Sequence, residues 1–210
     1  MKASMKITLA ALTAILLLGC AMGGGKPAVM IEQYAIEYAP PAPRGVAPAE
    51  TAIRIDRFSV AQIFNSVKIV YREKPYRFNE YAYHRWRANP GDMIGDCLLR
   101  DMRHSGLFRS VFSYRDLEDI PLILKGGVGE FFEMDEDGGR RAVLSIHLTL
   151  LDQSTREGGG RVVFQRNYRC EEPVEEKTVP GFVRAMSRAA EKLSEQAIED
   201  IYRAVQSGSR

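Results

Sequence analysis

Hydrophobic residues along the chain recur with two periods, one typical of helices and one typical of strands. Near the C terminus they recur at spacings of three and four, which predicts an amphipathic helix from about Pro180 to Val205. Its apolar stripe consists of Phe182, Met186, Ala189, Leu193, Ala197 and Ile201. A second helix is predicted from Asn89 to about His104, because Asn89 is a favourable N-cap and Pro90 fits the first helical position.

Strands are predicted where apolar and polar residues alternate. Three long strands, 120–133, 141–151 and 161–170, are separated by acidic and Gly-rich turns that are typical of hairpins. Shorter strands are predicted at 31–38, 53–58, 67–72, 76–83 and 108–112. Strands, helix, strands and helix in this order predict a single α+β domain with an antiparallel or mixed sheet and two main helices packed on one face.

The middle long strand also predicts which face of the sheet is buried. Its apolar residues Leu144, Ile146, Leu148 and Leu150 lie on one face, and its polar residues Ser145, His147 and Thr149 lie on the other. We therefore expect one face to be buried and the other to be largely solvated.

The first twenty residues differ in character from the rest of the chain. A short basic stretch, Met1 to Lys6, precedes an unbroken run of apolar residues and threonine from Ile7 to Leu18. As a helix this run would be about 18 Å long, too short for a hydrocarbon core of about 30 Å. The pattern is that of an export signal.

The residues Leu17-Leu18-Gly19-Cys20 resemble the bacterial lipobox, in which cleavage leaves a lipidated cysteine as the first residue. This resemblance implies a signal peptide at 1–19 and a lipidated Cys20, which begins a flexible tether at 20–30. We expect a single domain at 31–206 and a disordered tail at 207–210. Two or more acyl chains anchor a protein stably. Residue 21 is Ala and not Asp, which by resemblance to proteobacterial sorting rules favours the periplasmic face of the outer membrane. The alternative is an ordinary signal peptide or a chance match to the lipobox.

Composition and charge exclude several classes of protein. Hydrophobic residues make up 45% and charged residues 27% of the chain, which excludes a disordered tail protein or a collagen-like repeat. Two of the 29 basic residues, Lys2 and Lys6, belong to the leader, and 27 residues are acidic, so the mature chain has no formal net charge. Because nucleic-acid binders usually carry a clear basic excess, that class is disfavoured.

Catalytic and metal motifs are missing from the sequence. The histidines, His84, His104 and His147, lie in different predicted elements without an H-E-x-x-H pair, and there is no G-x-S-x-G elbow. The glycines of 125–129 do not form a phosphate loop, and 135–137 is interpreted as a hairpin tip and not a calcium loop. We therefore predict no enzyme activity, no metal and no cofactor other than the covalent lipid on Cys20.

The segment Tyr71 to Trp86 holds six of the chain's nineteen aromatic residues, interleaved with basic ones. One interpretation is a hairpin whose aromatic side chains pack under the first helix. A second is a protein interface, because Tyr, Trp and Arg are preferred at binding hot spots. A third is an edge that contacts lipid. The candidate interface residues are Tyr71, Arg72, Tyr81, Tyr83, Arg85 and Trp86.

The same segment carries a family resemblance. Val70-Tyr71-Arg72, then Tyr81-Ala82-Tyr83-His84-Arg85-Trp86, Pro90, Leu98 and Ser105-Gly106-Leu107-Phe108 resemble the ABC-type transport auxiliary lipoproteins, the family of the paraquat-inducible protein C lipoprotein. The similarity covers roughly Ile31 to Val205. It implies an accessory of an ABC lipid-transport system that uses mammalian-cell-entry (MCE) domain proteins. In that role the chain would be a non-enzymatic adaptor at the outer membrane that docks the MCE protein and the transporter complex.

Two questions stay open at this point. The apolar face of the middle long strand is also compatible with a periplasmic carrier that holds an acyl chain in its own core. Cys97 and Cys170 remain after Cys20 is lipidated, and an even pair in an oxidising compartment favours a disulfide. Two buried free thiols account for the pair equally well.

Overall fold

The computed structural model describes residues 30–116, 119–136, 139–154 and 160–208. The predicted signal peptide and Cys20 lie outside these residues. The elements in chain order are β1 (Glu32–Tyr34), β2 (Ala49–Ile55), β3 (Ser59–Val60), a 3-10 turn (Gln62–Phe64), β4 (Lys68–Lys74), β5 (Arg77–Trp86), α1 (Pro90–His104), β6 (Phe108–Ser113), β7 (Leu122–Glu136), β8 (Gly139–Asp152), β9 (Arg161–Pro173) and α2 (Val179–Gly208). The predicted α+β class and both predicted helices are confirmed.

Strand β7 is the spine of a curled, mixed sheet. Along one side it pairs antiparallel with β8, which in turn pairs antiparallel with β9. Along its other side it is long enough to pair in succession with β2, β3 and β4, all parallel to it. The sheet continues from β2 to β6 and from β4 through β5 to β1. The two predicted late hairpins are therefore confirmed, and the sheet is of the mixed kind.

The main hydrophobic core lies between the sheet and the two helices. Leu144, Ile146, Leu148 and Leu150 are buried, whereas His147 on the other face of β8 is exposed, as the alternation predicts. Helix α2 packs on β8 and β9, helix α1 packs on β6 and β7, and the helices contact each other. The predicted stripe of α2, from Phe182 to Ile201, is buried in this core.

A second, smaller hydrophobic cluster covers the opposite face of the sheet near the end of β7. Phe132 stacks on Phe64 with ring centroids 5.7 Å apart and meets Phe78 edge-on at 5.3 Å. Its neighbour in sequence, Phe131, faces the helices, so consecutive phenylalanines of β7 are buried on opposite faces. At this end, therefore, the sheet is covered on both sides.

Both helices begin with side-chain caps. The Asn89 side chain accepts a hydrogen bond from the Gly91 amide at 3.0 Å, which confirms the predicted start of α1. Thr178 does the same for the Gly181 amide at 3.1 Å before α2. Helix α2 continues to Gly208, so residues 207 and 208 are helical and not part of a disordered tail, and 209–210 lie outside the described residues.

The first strand is shorter than predicted because the chain leaves the sheet after Tyr34 and crosses the helices. We call residues 37–47 the strap. The Tyr38 hydroxyl donates to Asp101 at 2.6 Å, and the amide of Arg44 donates to the Ser105 carbonyl at 3.2 Å. At the far end the Tyr202 hydroxyl donates to the Ala47 carbonyl at 3.0 Å. The strap therefore connects the N-terminal part of the domain to both helices.

Candidate functional site

The aromatic and basic segment identified in the sequence forms the hairpin of β4 and β5. In the middle of the hairpin the strands pair regularly, Arg72 with Phe78 and Val70 with Glu80. The register then shifts, and Lys68 pairs with Arg85. Residues 81–84 of β5 form a bulge at this point, where β5 begins to pair with β1. A bulge of this kind redirects side chains locally.

The bulge sends two aromatic side chains of β5 to opposite faces of the sheet. Phe78 packs on Phe132 in the smaller cluster, whereas Trp86 packs on Phe131 at 5.0 Å and on Phe182 of α2 at 5.8 Å between ring centroids. Strict alternation would place Phe78 and Trp86 on the same face. Trp86 is only 2% exposed. Its prediction as an interface residue is therefore wrong, because a partner on the surface cannot reach a core side chain.

Tyr81 is held by a buried carboxylate. Its hydroxyl donates to Glu133 Oε2 at 2.6 Å, and its ring lies 4.7 Å from the ring of Tyr71. Arg140 approaches the other carboxylate oxygen, with Nη1 3.4 Å from Glu133 Oε1. Burial raises the pKa of Glu133, and the Tyr81 hydrogen bond and the Arg140 charge offset part of that rise. Burial and the same hydrogen bond raise the pKa of Tyr81. Tyr81 of β5 is thus joined by a hydrogen bond to the buried carboxyl group of Glu133 in β7.

Arg72 braces β4 against the smaller cluster. Its guanidinium lies 5.1 Å from the ring centroid of Phe132 and 5.8 Å from that of Phe78, within cation–π range. Its Nη2 also lies 2.9 Å from Glu136 Oε1. These contacts engage Nη2 and the planar face of Arg72, whereas its buried Nε has no hydrogen-bond partner among the described residues.

The exposed part of the predicted site is smaller than the sequence suggested. Tyr83, in the bulge, is 54% exposed, and Arg85 is half-buried beside it. Within the residues that the structure describes, neither side chain has a hydrogen bond or an ion pair. These two residues form what we call the hairpin surface. Beside it, the Tyr34 hydroxyl lies 3.2 Å from Nδ1 of His84, and burial followed by the Glu32 carboxylate raises the pKa of Tyr34 to about 12.

One exposed residue of the hairpin was missed at the sequence level. Tyr76, in the two-residue turn between β4 and β5, is 100% exposed and has a positive φ of 66°. Pro75 precedes it, and Pro followed by a positive φ is the pattern of a type II turn, where Gly or Asn is usual. A Pro-Tyr pair between two alternating runs is the sequence signal that could have identified it.

Of the two alternatives left open for Cys97 and Cys170, the structure has the free thiols. Cys97 lies on α1 beside Tyr38 of the strap, whereas Cys170 lies on β9, where its thiol donates to Glu172 Oε1 across 3.5 Å. Burial, followed by the Glu172 hydrogen bond, raises the pKa of Cys170 to about 11, and burial raises the pKa of Cys97. The free-thiol alternative is the one found, because the two side chains point to different neighbours.

The three histidines do not come together. His84 lies with its Nδ1 3.2 Å from Glu32 Oε2 in β1, His104 is exposed at the end of α1, and His147 is exposed on β8. Across the described ranges, no three His, Cys, Asp or Glu side chains are placed to hold a metal ion. No helix in these ranges is both long enough and apolar enough to span a bilayer.

This arrangement defines a class of protein by its fold, an α+β domain whose mixed sheet carries two helices on one face. Crystal structures of two named proteins and one uncharacterised protein are similar. Protein XCC0632 from Xanthomonas campestris, matched by the family model DUF330, is 20% identical with a TM-score of 0.74, over 84% of this chain and 98% of that one. The uncharacterised protein is 13% identical with a TM-score of 0.64, over 82% and 99%. The hypothetical protein CT253 from Chlamydia trachomatis is 6% identical with a TM-score of 0.51, over 75% and 98%.

The sequence itself identifies the family. The family model of the ABC-type transport auxiliary lipoprotein component matches residues 34–197, which is most of the chain. The chain therefore belongs to the ABC-type transport auxiliary lipoprotein family, and the resemblance noted in the sequence is confirmed. The proteins of this family are auxiliary components of ABC-type transport systems. No curated protein matches the chain.

Proposed function

We propose that this chain is a lipid-anchored, non-enzymatic docking component of an ABC-type lipid transport system. It is held on the periplasmic face of the outer membrane by acyl chains on Cys20, and it docks an MCE-domain protein that connects it to the transporter. The observation that carries the proposal is the family match over residues 34–197. The lipobox-like Leu17-Leu18-Gly19-Cys20 supports the anchor.

The hairpin surface is the proposed docking site. Tyr83 and Arg85 are open to a partner without any rearrangement, since no other described side chain pairs with them. Tyr and Arg are also the residue types that most often dominate binding energy at interfaces. Tyr71 and Tyr81 stabilise the hairpin beside this surface through their ring contact and the Tyr81–Glu133 hydrogen bond, and Arg72 is engaged by Glu136.

The packing of the core supports docking over the alternative role as a lipid carrier. The apolar face of β8, on which the carrier alternative depends, is buried under the two helices. The cavity found there, beside Tyr38, Cys97 and Leu144, measures about 10 Å³. A cavity of that size holds one water molecule at most. An acyl chain would need the helices to separate from the sheet, and no observation indicates such a movement.

The experiment that tests the proposal is recovery of partners from crosslinked envelopes. Tagged full-length protein is solubilised in detergent after mild crosslinking, and the co-purified proteins are identified by mass spectrometry. We expect an MCE-domain protein and ABC transporter subunits. The variants Tyr83→Ala and Arg85→Glu should each lower recovery of the MCE protein about tenfold or more, as expected for hot-spot residues worth 1.4 kcal/mol or more.

The matched control is Tyr114→Ala, which removes another exposed tyrosine, in the turn after β6. It should leave partner recovery unchanged. Equal recovery with Tyr83→Ala, Arg85→Glu and Tyr114→Ala would exclude the hairpin surface as the docking site. Recovery of the lipoprotein alone, from envelopes in which other complexes survive, would contradict the docking role itself. Cys20→Ser should move the protein out of the membrane fraction, which tests the anchor separately.

A further inference from the structure

The turn of the β4–β5 hairpin, residues 74–77, has properties that the fold does not explain. We call these four residues the hairpin tip. Tyr76 is fully exposed and makes no ring contact or hydrogen bond with any other described residue. Its positive φ of 66° is one that residues other than Gly, Asn and Asp rarely adopt. The folded domain therefore bears backbone strain at Tyr76 without gaining packing from its ring, and strain of this kind is typical of functional sites.

The charges of the hairpin tip are also unbalanced. Lys74 and Arg77 pair directly across the hairpin, and like charges in that position repel each other. Both side chains are exposed, and neither has an ion pair in the part of the chain that the structure describes. Glu73, next to Lys74 in sequence, is also exposed and forms no ion pair with either cation among the described residues. An anion bound between Lys74 and Arg77 would remove the repulsion.

Apart from Glu73, the acidic side chains that the structure describes near this end of the sheet are already neutralised within the domain. Glu136 at the end of β7 pairs with Arg72 at 2.9 Å, and Asp135 pairs with Arg140 at 2.8 Å. Glu176, just before α2, pairs with Arg184 at 2.6 Å. The two unpaired cations of the hairpin tip therefore remain available to an external anionic group.

The direction of β1 places the hairpin tip on the side from which the chain enters the domain. β1 runs parallel to β5, with Gln33 beside Arg85, which in turn pairs with Lys68. Because β5 starts at the tip, the chain enters β1 from the tip end of the sheet. Six residues of strand separate Lys68 from Lys74, which is about 20 Å. The hairpin tip thus lies about 20 Å from the level of Gln33, toward the end from which the N-terminal chain arrives.

The length of the chain before β1 brings a membrane within reach of that end. Eleven residues run from Cys20 to Met30. A chain of eleven residues spans at most about 40 Å. If Cys20 carries the lipid anchor, as the proposed function holds, this span exceeds the distance of about 20 Å by which the hairpin tip extends beyond Gln33. The chain before β1 is therefore long enough for the tip to reach the membrane surface.

We propose that the hairpin tip is a second membrane contact of the anchored protein. Tyr76 lies at the level of the lipid headgroups, where Tyr is enriched because its ring is apolar and its hydroxyl is polar. Lys74 and Arg77 bind the phosphate groups of anionic phospholipids, as basic residues near an anionic surface do. This inference rests on the proposed anchor at Cys20. It adds a fixed orientation of the domain, because a lipid anchor at one residue alone does not determine which face of the domain meets the membrane.

The test measures the depth of a label at position 76 in the full-length, lipidated protein. Tyr76→Cys carries a nitroxide, and the protein is reconstituted into vesicles of phosphatidylethanolamine and phosphatidylglycerol or of phosphatidylcholine alone. Val162→Cys is the matched control, since Val162 is 55% exposed at the opposite end of the sheet. Labelling of the unsubstituted chain measures the background from Cys97 and Cys170. Circular dichroism checks that each variant is folded.

We expect the label at position 76 to collide more with oxygen and less with a water-soluble nickel complex than the label at position 162. The difference should be larger in vesicles that contain phosphatidylglycerol. Adding Lys74→Glu with Arg77→Glu should lower the membrane-bound fraction of the tip about fivefold or more for each charge. Arg109→Glu with Arg161→Glu, the same charge change at the far end of the sheet, should leave it unchanged.

Three results would overturn the proposal. Equal collision patterns at positions 76 and 162, in protein that floats with the vesicles, would leave the anchor intact and exclude the tip contact. Protection of the label from both oxygen and nickel would indicate contact with a second copy of the protein. Failure of the unsubstituted protein to float would remove the anchor, and the tip contact would fall with it.

Discussion

At the scale of single residues, Tyr76 in the hairpin tip has a strained backbone conformation and a side chain that contributes no packing to the fold. Tyr76 is held at a positive φ that glycine adopts at no steric cost, yet its ring contacts nothing in the domain. A conformation of this kind costs a non-glycine residue about 1–3 kcal/mol. The domain would therefore be more stable with the residue type that the turn normally contains.

Tyr76→Gly should raise the free energy of unfolding by about 0.5–1 kcal/mol, the relief of strain less the greater flexibility of glycine in the unfolded chain. The same variant should lose the membrane contact proposed for Tyr76. Urea unfolding measures the change in stability, and the slope with denaturant should stay the same. The matched control is Gly45→Ala, which places a side chain at a φ of 62° in open space and should lower stability. A loss of stability in Tyr76→Gly would show that its ring contributes to the fold.

The buried carboxylate of Glu133 should make stability depend on pH. Burial raises its pKa above the ordinary value of 4.5, so the folded protein holds this proton more tightly than the unfolded chain does. The contribution of Glu133 to stability is then full below pH 4.5 and is lost as the pH rises through the folded-state pKa. Glu133→Gln cannot titrate and should lack that loss.

Urea unfolding of both proteins across a pH series measures this difference. We expect the free energy of unfolding of the variant, relative to the natural protein, to increase as the pH rises above about 4.5. Glu130→Gln is the control, because Glu130 is a more exposed glutamate paired with Arg169 on the solvated face. A difference between natural protein and Glu133→Gln that is constant with pH would mean that Glu133 does not titrate in this range.

At the scale of elements, the strap depends on one buried carboxylate. Asp101 of α1 is fully buried and accepts hydrogen bonds from the hydroxyls of Tyr38 and Ser194, each at 2.6 Å. Arg100 completes the group, with Nε donating to Asp101 Oδ1 at 2.8 Å and its guanidinium 4.4 Å from the Tyr38 ring centroid. The strap, α1 and α2 therefore meet at a single side chain.

Asp101→Ala should loosen the strap before it affects the sheet. It leaves the Tyr38 and Ser194 hydroxyls without their acceptor, and a buried polar group without a partner costs about 1–3 kcal/mol. Hydrogen exchange should become faster in residues 37–47, while β7 and β8 keep their protection. Asp96→Ala, on the same helix, is the control. Uniformly faster exchange throughout the domain would contradict a local role for Asp101.

Sequence patterns predicted the helices and long strands but not every detail of how the strands pair. Caps, glycines and apolar periods predicted both helices and the three long strands, because each of these signals is local. The position of Trp86 could not be predicted in this way, since it depends on the bulge at 81–84, which is set by how β5 pairs with β4 and β1. The buried pair of Phe131 and Phe132 likewise requires that a second cluster cover the far side of β7.

At the scale of the whole molecule, the family and fold class were predictable, whereas the surface available to partners was not. The chain belongs to the predicted family over residues 34–197. Of the six predicted interface residues, Trp86 is in the core, and Arg72 and Tyr81 are engaged with Glu136 and Glu133. Aromatic and basic residues have the same pattern in sequence whether they face a partner or close a core. Only the three-dimensional packing separates Tyr83 and Arg85 from the others.

The parallel pairing of β1 with β5 also determines how the domain bears mechanical load. Tension on the chain before Ile31 pulls along the axis of β1, across its lateral hydrogen bonds, including the 2.7 Å bond from the Arg87 amide to the Tyr34 carbonyl. Bonds loaded in shear must break together, whereas bonds at the end of a hairpin can be peeled apart one at a time. If β1 did yield, the strap would carry the load next through its bonds to both helices. Force applied along β1 is therefore resisted first by its pairing with β5 and then by the bonds of the strap to both helices.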